Sequence, residues 1–105
     1  MVLMDFVTRL PEDHKLYFLS DPRAVFVPVG QLEPSKPPET QRESVDRAEE
    51  LMRHAAAGEV GRRAPISVAR AVNGYKIIDG NATYGVALRH GWQALPAVIM
   101  EEADA

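Results

Sequence analysis

The pattern of apolar and polar residues along the chain predicts short strands alternating with two helices. Residues 24–29 are rich in β-branched and aromatic side chains, as strands are, and follow a turn signal at Asp21 and Pro22. Pro28 cannot donate a ladder hydrogen bond, which suits a strand end or a sheet edge. A strand is therefore predicted over 24–29, with Pro28 at a sheet edge or at the end of the strand.

A helix is predicted over 41–57, after a stretch at 31–39 whose three prolines favour a stiff loop. Thr40 and Glu43 have the spacing of a capping box, and Gly58 supplies a stop. Five apolar residues form one stripe of this helix, while charged side chains occupy its other face. They are Val45, Ala48, Leu51, Met52 and Ala55.

A β-hairpin and a second helix follow. Strands at 66–71 and 75–79 flank a turn predicted at Asn73 and Gly74, and a helix over 81–90 ends at Gly91. Asp79 is interpreted first as the N-cap of this helix, with a general base or metal-facing carboxylate as the alternative. A last strand at 96–100 then lies parallel to a neighbouring strand after a crossover.

The length of 105 residues supports one core and hence one domain. We expect an α/β (α+β) domain, with a mixed sheet packed by two main helices over 24–101. Residues 1–23 form a helical extension in this scheme, with Val2, Leu3, Phe6 and Leu10 at helical spacing before Pro11.

Composition and charge exclude several classes of function. The chain has no cysteine, so thiolate metal sites and cysteine nucleophiles are excluded, and its three histidines are too scattered to predict a metal site. The net charge of -3 supplies no general attraction to DNA phosphates, so DNA is not expected as a partner. The apolar runs are too short to span a membrane, and the first residues lack a basic stretch, so a cytoplasmic protein is expected.

Candidate chemistry centres on residues 78–84, where a strand runs into Gly80 and a helix begins. Backbone N–H groups and the positive end of the helix dipole meet at such a turn, which makes it suitable for an anion such as phosphate. Many α/β folds also need the same junction simply to turn the chain. Spacing alone therefore leaves a ligand site and a structural corner as alternatives.

Several segments resemble the ParB/sulfiredoxin superfamily over roughly residues 26–100. The similar segments are 27–34, 65–68, 74–80, 87–92 and 95–99, including the Asp79-Gly80 pair. The resemblance implies nucleotide phosphates at the strand-Gly-helix turn: CTP in chromosome-partition proteins, ATP in sulfiredoxins and a nucleotide in free-serine kinases of this fold. Fold analogy indicates a place for a ligand and not a reaction.

The chain departs from the superfamily pattern directly after Gly80. Active members usually carry a Cys-His-Arg, His-His-Arg or Glu-Arg-Arg triplet there, whereas this chain has Asn81, Ala82 and Thr83. Sulfiredoxin chemistry is excluded because Asn81 stands at the position of the nucleophilic cysteine. Thr83 replaces the phosphate-binding arginine. We therefore assign no reaction to the residues of this turn.

The leading hypothesis is a stand-alone ParB/sulfiredoxin-like module that binds a nucleotide, ATP or CTP with or without Mg²⁺, or another phosphorylated ligand. Backbone N–H groups at the turn, side-chain donors of Asn81 and Thr83, and flanking side chains would form the site. The candidate residues are Asp79, Gly80, Asn81, Ala82, Thr83, Tyr84 and Arg62. Thr83 is expected to face an open pocket, so that Thr83→Arg would tighten nucleotide binding; a buried Thr83 would instead make that change destabilising.

The alternative hypothesis is a catalytically inactive accessory or regulatory protein of a plasmid, phage or chromosomal locus, acting through protein contacts. Apolar residues of the N-terminal segment would then cap the core or form a homodimer contact. They are Phe6, Leu10, Leu16, Tyr17 and Phe18.

Overall fold

A computed structural model describes residues 10–100 of the chain. The predicted helical spacing of Val2, Leu3 and Phe6 lies outside the described residues. Within residues 10–100, three α-helices and five β-strands follow one another, with two short 3-10 turns at Val29–Gln31 and Pro38–Thr40. In chain order they are α1 Leu10–Tyr17, β1 Ala24–Pro28, β2 Leu32–Glu33, α2 Arg42–Ala56, β3 Ile66–Ala71, β4 Gly74–Asp79, α3 Asn81–His90 and β5 Ala94–Ile99.

The strands form one mixed sheet in the order β1-β5-β3-β4-β2. β5 runs parallel to β3, as predicted for the last strand, and β1 pairs antiparallel to β5 at one edge. The edge position suits Pro28, which lacks an N–H. The α/β (α+β) fold class, a mixed sheet packed by two main helices, is thereby confirmed.

The core lies between the sheet and the helices. α2 and α3 contribute Val45, Ala48, Met52 and Val86, and the central strands contribute Ile66, Val68, Ile77 and Leu95. Phe18, directly after α1, is only 1% exposed and belongs to the same cluster. This residue of the N-terminal extension therefore caps the core. No helix within residues 10–100 is long and apolar enough to cross a membrane.

Two local predictions in the sheet are wrong. The hairpin loop is Val72 and Asn73, because Ala71 pairs with Gly74 as the last pair of the ladder. β2, which pairs parallel with the start of β4, lies within the stretch predicted as a stiff loop. A Cβ at Gly74, whose φ is +149°, would lie 2.4 Å from the carbonyl oxygen of Gln31. Gly74 thus permits the approach of β2 and is not a turn residue.

The predicted capping box is also wrong, although a helix does begin nearby. The N-cap of α2 is Gln41, and no side chain caps it. The Thr40 hydroxyl instead donates to the carbonyl of Pro37 at 2.8 Å, because Thr40 belongs to the preceding 3-10 turn.

Pro11 lies within the first turn of α1, where a backbone N–H would have no intrahelical acceptor, so a proline breaks no hydrogen bond of the helix.

Glu49 joins the two main helices. Its Oε1 accepts a hydrogen bond from Arg89 at 2.6 Å, and its Oε2 lies 3.0 Å from Nε2 of His90, both on α3. Arg53 on its own helix approaches Oε2 at 3.3 Å. The hydrogen bond from Arg89, followed by the contacts with His90, lowers the pKa of Glu49 from its ordinary value of 4.5, although burial opposes the shift.

We expect Glu49→Gln to lower the free energy of unfolding at pH 7 and the difference from wild type to shrink in acid. A carboxyl whose pKa is lower in the folded state stabilises the fold above its unfolded pKa and loses that contribution as the pH falls through the folded value. The difference in the free energy of unfolding between wild type and Glu49→Gln should therefore narrow below about pH 4.5. Urea unfolding at several pH values measures it. Glu50→Gln, an exposed neighbour 4.0 Å from His54, is the control and should show a much smaller pH dependence.

Candidate functional site

The site is the turn that joins β4 to α3. Gly80 is the N-cap of α3 with φ 122° and ψ 20°, and no side chain caps the helix. Asp79 is the last residue of β4, so its predicted N-cap role is wrong. The first intrahelical bond runs from the N–H of Tyr84 to the carbonyl of Gly80 at 2.9 Å. Within the described part of the chain, the N–H groups of residues 81–83 therefore have no protein acceptor.

Asn81 does not cap the helix that it begins. Its Oδ1 accepts hydrogen bonds from the backbone N–H groups of Ser35 at 2.9 Å and Lys36 at 3.3 Å. Its side-chain amide donates to the Ser35 hydroxyl at 2.9 Å. Asn81 thus ties the proline-rich loop to the turn, and its amide, predicted as a donor to a ligand, donates to Ser35 within the protein. The contact spans 46 residues of sequence, and no local pattern predicts it.

Thr83 is buried, with 2% of its surface exposed, so the expectation of an open position there is wrong, although the residue forms part of a cavity wall. Its hydroxyl oxygen accepts a hydrogen bond from Nε of Arg63 at 3.1 Å. A charged group thus lies beside the first turn of α3 after all, but it comes from the loop between α2 and β3. The arginine pair at 62 and 63 is the sequence signal for it, and the structure favours Arg63 over the predicted Arg62.

Two cavities flank Arg63. The first, of about 320 Å³, lies between α2 and the start of α3. Its wall includes Ser44, Arg47, Leu51, Arg63 and Ala82. The second, of about 290 Å³, lies between the loop before β3 and the turn, with Arg63, Ile66, Asp79, Gly80 and Thr83 in its wall. We call the two together the Arg63 cleft.

The structure brings only part of the predicted set to this cleft. Asp79, Gly80, Ala82 and Thr83 line it, whereas Asn81, Arg62 and Tyr84 line neither cavity. Tyr84 is half-buried and packs against the core, and Arg62 is exposed. Sequence reasoning missed Ser44 and Arg47, which lie on the polar face of α2 and look like ordinary solvated positions.

The charges of the cleft are mixed. Arg47 and Arg63 contribute positive charge, while Glu43 lines the first cavity and Asp79 lines the second. Among the side chains described, those of residues 14–37 and 39–100, no group of three or more His, Asp or Glu is arranged to hold a metal ion. The cleft therefore offers hydrogen-bond donors for an anion, together with one carboxylate in each cavity, that of Glu43 in the first and that of Asp79 in the second.

Similar folds occur among solved structures. A free serine kinase in complex with AMP matches with a TM-score of 0.53 and 16% identity, over 82% of this chain and 34% of the kinase chain. A mutant of a free serine kinase, also with AMP, matches to the same extent. A conserved hypothetical protein from Pyrococcus furiosus has a TM-score of 0.54 and 16% identity, over 80% of this chain and 34% of its own.

This chain thus spans about a third of the length of these structures. At such low identity the likeness shows a shared fold and nothing more. No protein-family model matches the chain, and no curated protein matches it.

Proposed function

We propose that this chain is a ParB/sulfiredoxin-like module that binds a nucleotide, with the phosphate at the first turn of α3. The observation that carries the proposal is the absence of a capping side chain on α3, within the described residues, at the turn beside the Arg63 guanidinium. Helix N-terminal N–H groups carry partial positive charge, and a guanidinium forms strong charge-assisted bonds to phosphate oxygens. An anion can therefore accept hydrogen bonds from the helix N–H groups and from the guanidinium together.

The size of the Arg63 cleft supports a small ligand. Each cavity is about 300 Å³, at the lower end of the range of about 300–1,000 Å³ for small-molecule pockets. Because Arg63 lines both, a phosphate beside it leaves room for a nucleoside in either cavity. Asp79 is the carboxylate that would ligate a Mg²⁺ carried by the phosphates, since such ions commonly use one or two carboxylates.

The structural neighbours support the same ligand class. Two of the matching structures are kinases solved with AMP. The superfamily resemblance of the sequence implies nucleotide binding at the turn after Asp79 and Gly80. We therefore propose a nucleoside phosphate as the ligand and leave the reaction unassigned.

Titration of the isotope-labelled chain with AMP, ADP, ATP and CTP, with and without Mg²⁺, tests the proposal. We expect saturable amide shifts at residues 80–84 below millimolar ligand, with matching heats in calorimetry. Adenosine and cytidine are the controls and should bind at least about tenfold more weakly, because they lack the charged group. Absence of shifts and heat for every nucleotide at millimolar concentration would refute the proposal and favour the accessory-protein hypothesis.

A further inference from the structure

We propose that Arg63 is the residue that binds the anionic group of the ligand, and that residues 17–19, at the end of α1, hold it in position. The inference rests on the proposed function, because it concerns the same cleft. It adds a specificity-determining residue to the site and a role for the segment before β1. Both follow from the contacts of Arg63.

The backbone of Arg63 is fixed although it lies in a loop. Its N–H donates to the carbonyl of Tyr17 at 2.9 Å, and its carbonyl accepts from the N–H of Leu19 at 2.7 Å. These two bonds form an isolated parallel bridge between Phe18 and Arg63. Phe18 is 1% exposed in the core, so the strand-like segment that holds Arg63 is itself anchored.

The side chain of Arg63 is fixed at one edge only. Nε donates to the buried hydroxyl oxygen of Thr83 at 3.1 Å. Among the side chains that the structure describes, those of residues 14–37 and 39–100, no hydrogen bond or ion pair involves its two terminal nitrogens. A guanidinium presents its donors in a rigid planar fork, so fixing Nε orients the terminal nitrogens as well.

The position of this fork selects an oxyanion as the ligand group. Arg63 is the residue shared by the walls of both cavities, beside the uncapped first turn of α3. An oxyanion there accepts hydrogen bonds from the guanidinium and from the helix N–H groups together. Thr83 thus acts as a positioning residue. It holds the guanidinium of Arg63, and Arg63 contacts the ligand.

Arg63→Gln and Arg62→Gln, titrated with ADP and with inorganic pyrophosphate, test the anion-binding role. Both substitutions remove one positive charge, but Arg62 lines neither cavity. We expect Arg63→Gln to weaken both ligands about tenfold or more and Arg62→Gln to change affinity less than about twofold. Arg63→Lys should recover part of the loss, because it restores the charge without the planar fork.

The positioning role is tested by Leu19→Pro and Leu19→Ala. Proline removes the N–H that donates to Arg63, whereas alanine keeps it and shortens a half-exposed side chain. We expect Leu19→Pro to weaken ADP binding severalfold and Leu19→Ala to leave it unchanged. Hydrogen exchange at the amide of Arg63, which should become faster in Leu19→Pro, gives a readout that does not depend on the ligand.

The outcomes separate the two proposals. If wild type binds neither ADP nor pyrophosphate, both the proposed function and the role of Arg63 are overturned. If wild type binds and Arg63→Gln binds equally well, the role of Arg63 is overturned and the proposed function stands. A fall in melting temperature of Arg63→Gln with unchanged affinity would likewise show a merely structural arginine.

Discussion

Thr83→Arg is expected to destabilise the protein by about 3–5 kcal/mol, because it introduces a charge at a buried position beside another arginine. Thr83 is 2% exposed and accepts a hydrogen bond from Nε of Arg63. The new guanidinium would displace that hydroxyl and oppose the charge of Arg63. Thermal unfolding should show a fall in melting temperature of more than about 12 °C for a domain of this size.

Two further variants identify the cause of this effect. Thr83→Val keeps the shape of the side chain but leaves Nε of Arg63 without its acceptor, and should cost about 1–2 kcal/mol. Ser44→Arg adds an arginine to the first turn of α2 at an exposed position and should change stability by less than about 0.5 kcal/mol. A Thr83→Arg variant that melts like wild type and binds ADP more tightly would restore the open-pocket interpretation.

Elements with a long periodic pattern are predictable from the sequence. The apolar stripe of α2 and the β-branched runs of β1 and β3 depend on local spacing, which the chain displays directly. β2 is not predictable in this way: it has two residues, follows a 3-10 turn and lies within a proline-rich stretch. Its pairing with β4 depends on the close approach that Gly74 permits, and no local pattern encodes such a contact.

The place of the candidate site is predictable, but the roles of its side chains are not. The position of Gly80 between a strand and a helix is sufficient to locate the helix start, although the absence of a capping side chain is not predicted, since the sequence favours Asp79 as the N-cap. The side-chain amide of Asn81, however, donates to Ser35, 46 residues away in sequence. The hydroxyl of Thr83 accepts from Arg63, 20 residues away. Tertiary contacts decide which polar group faces a ligand and which bonds to the protein. Local sequence alone therefore predicts a ligand donor at both positions.

Gly80→Ala is expected to lower the free energy of unfolding by about 2–5 kcal/mol, since strain and crowding act together. The φ of +122° is unfavourable for any residue with a Cβ. A Cβ built there would lie 2.4 Å from Cγ2 and 2.7 Å from Cβ of Ile66. Ile66 is 2% exposed in β3 and β-branched, so it cannot rotate away cheaply.

Gly91→Ala separates the two contributions, because Gly91 also has a positive φ, of +70°, but a Cβ there meets nothing within 4 Å. Only the strain of the positive φ then acts, so Gly91→Ala should lower the free energy of unfolding by about 1 kcal/mol, as measured by urea unfolding. In an Ile66→Ala background, Gly80→Ala should cost less than in wild type, because the crowding is removed while the strain remains. Equal losses for Gly80→Ala and Gly91→Ala would show that Ile66 does not limit the turn. The approach of β3 to the start of α3 would then depend on backbone conformation alone.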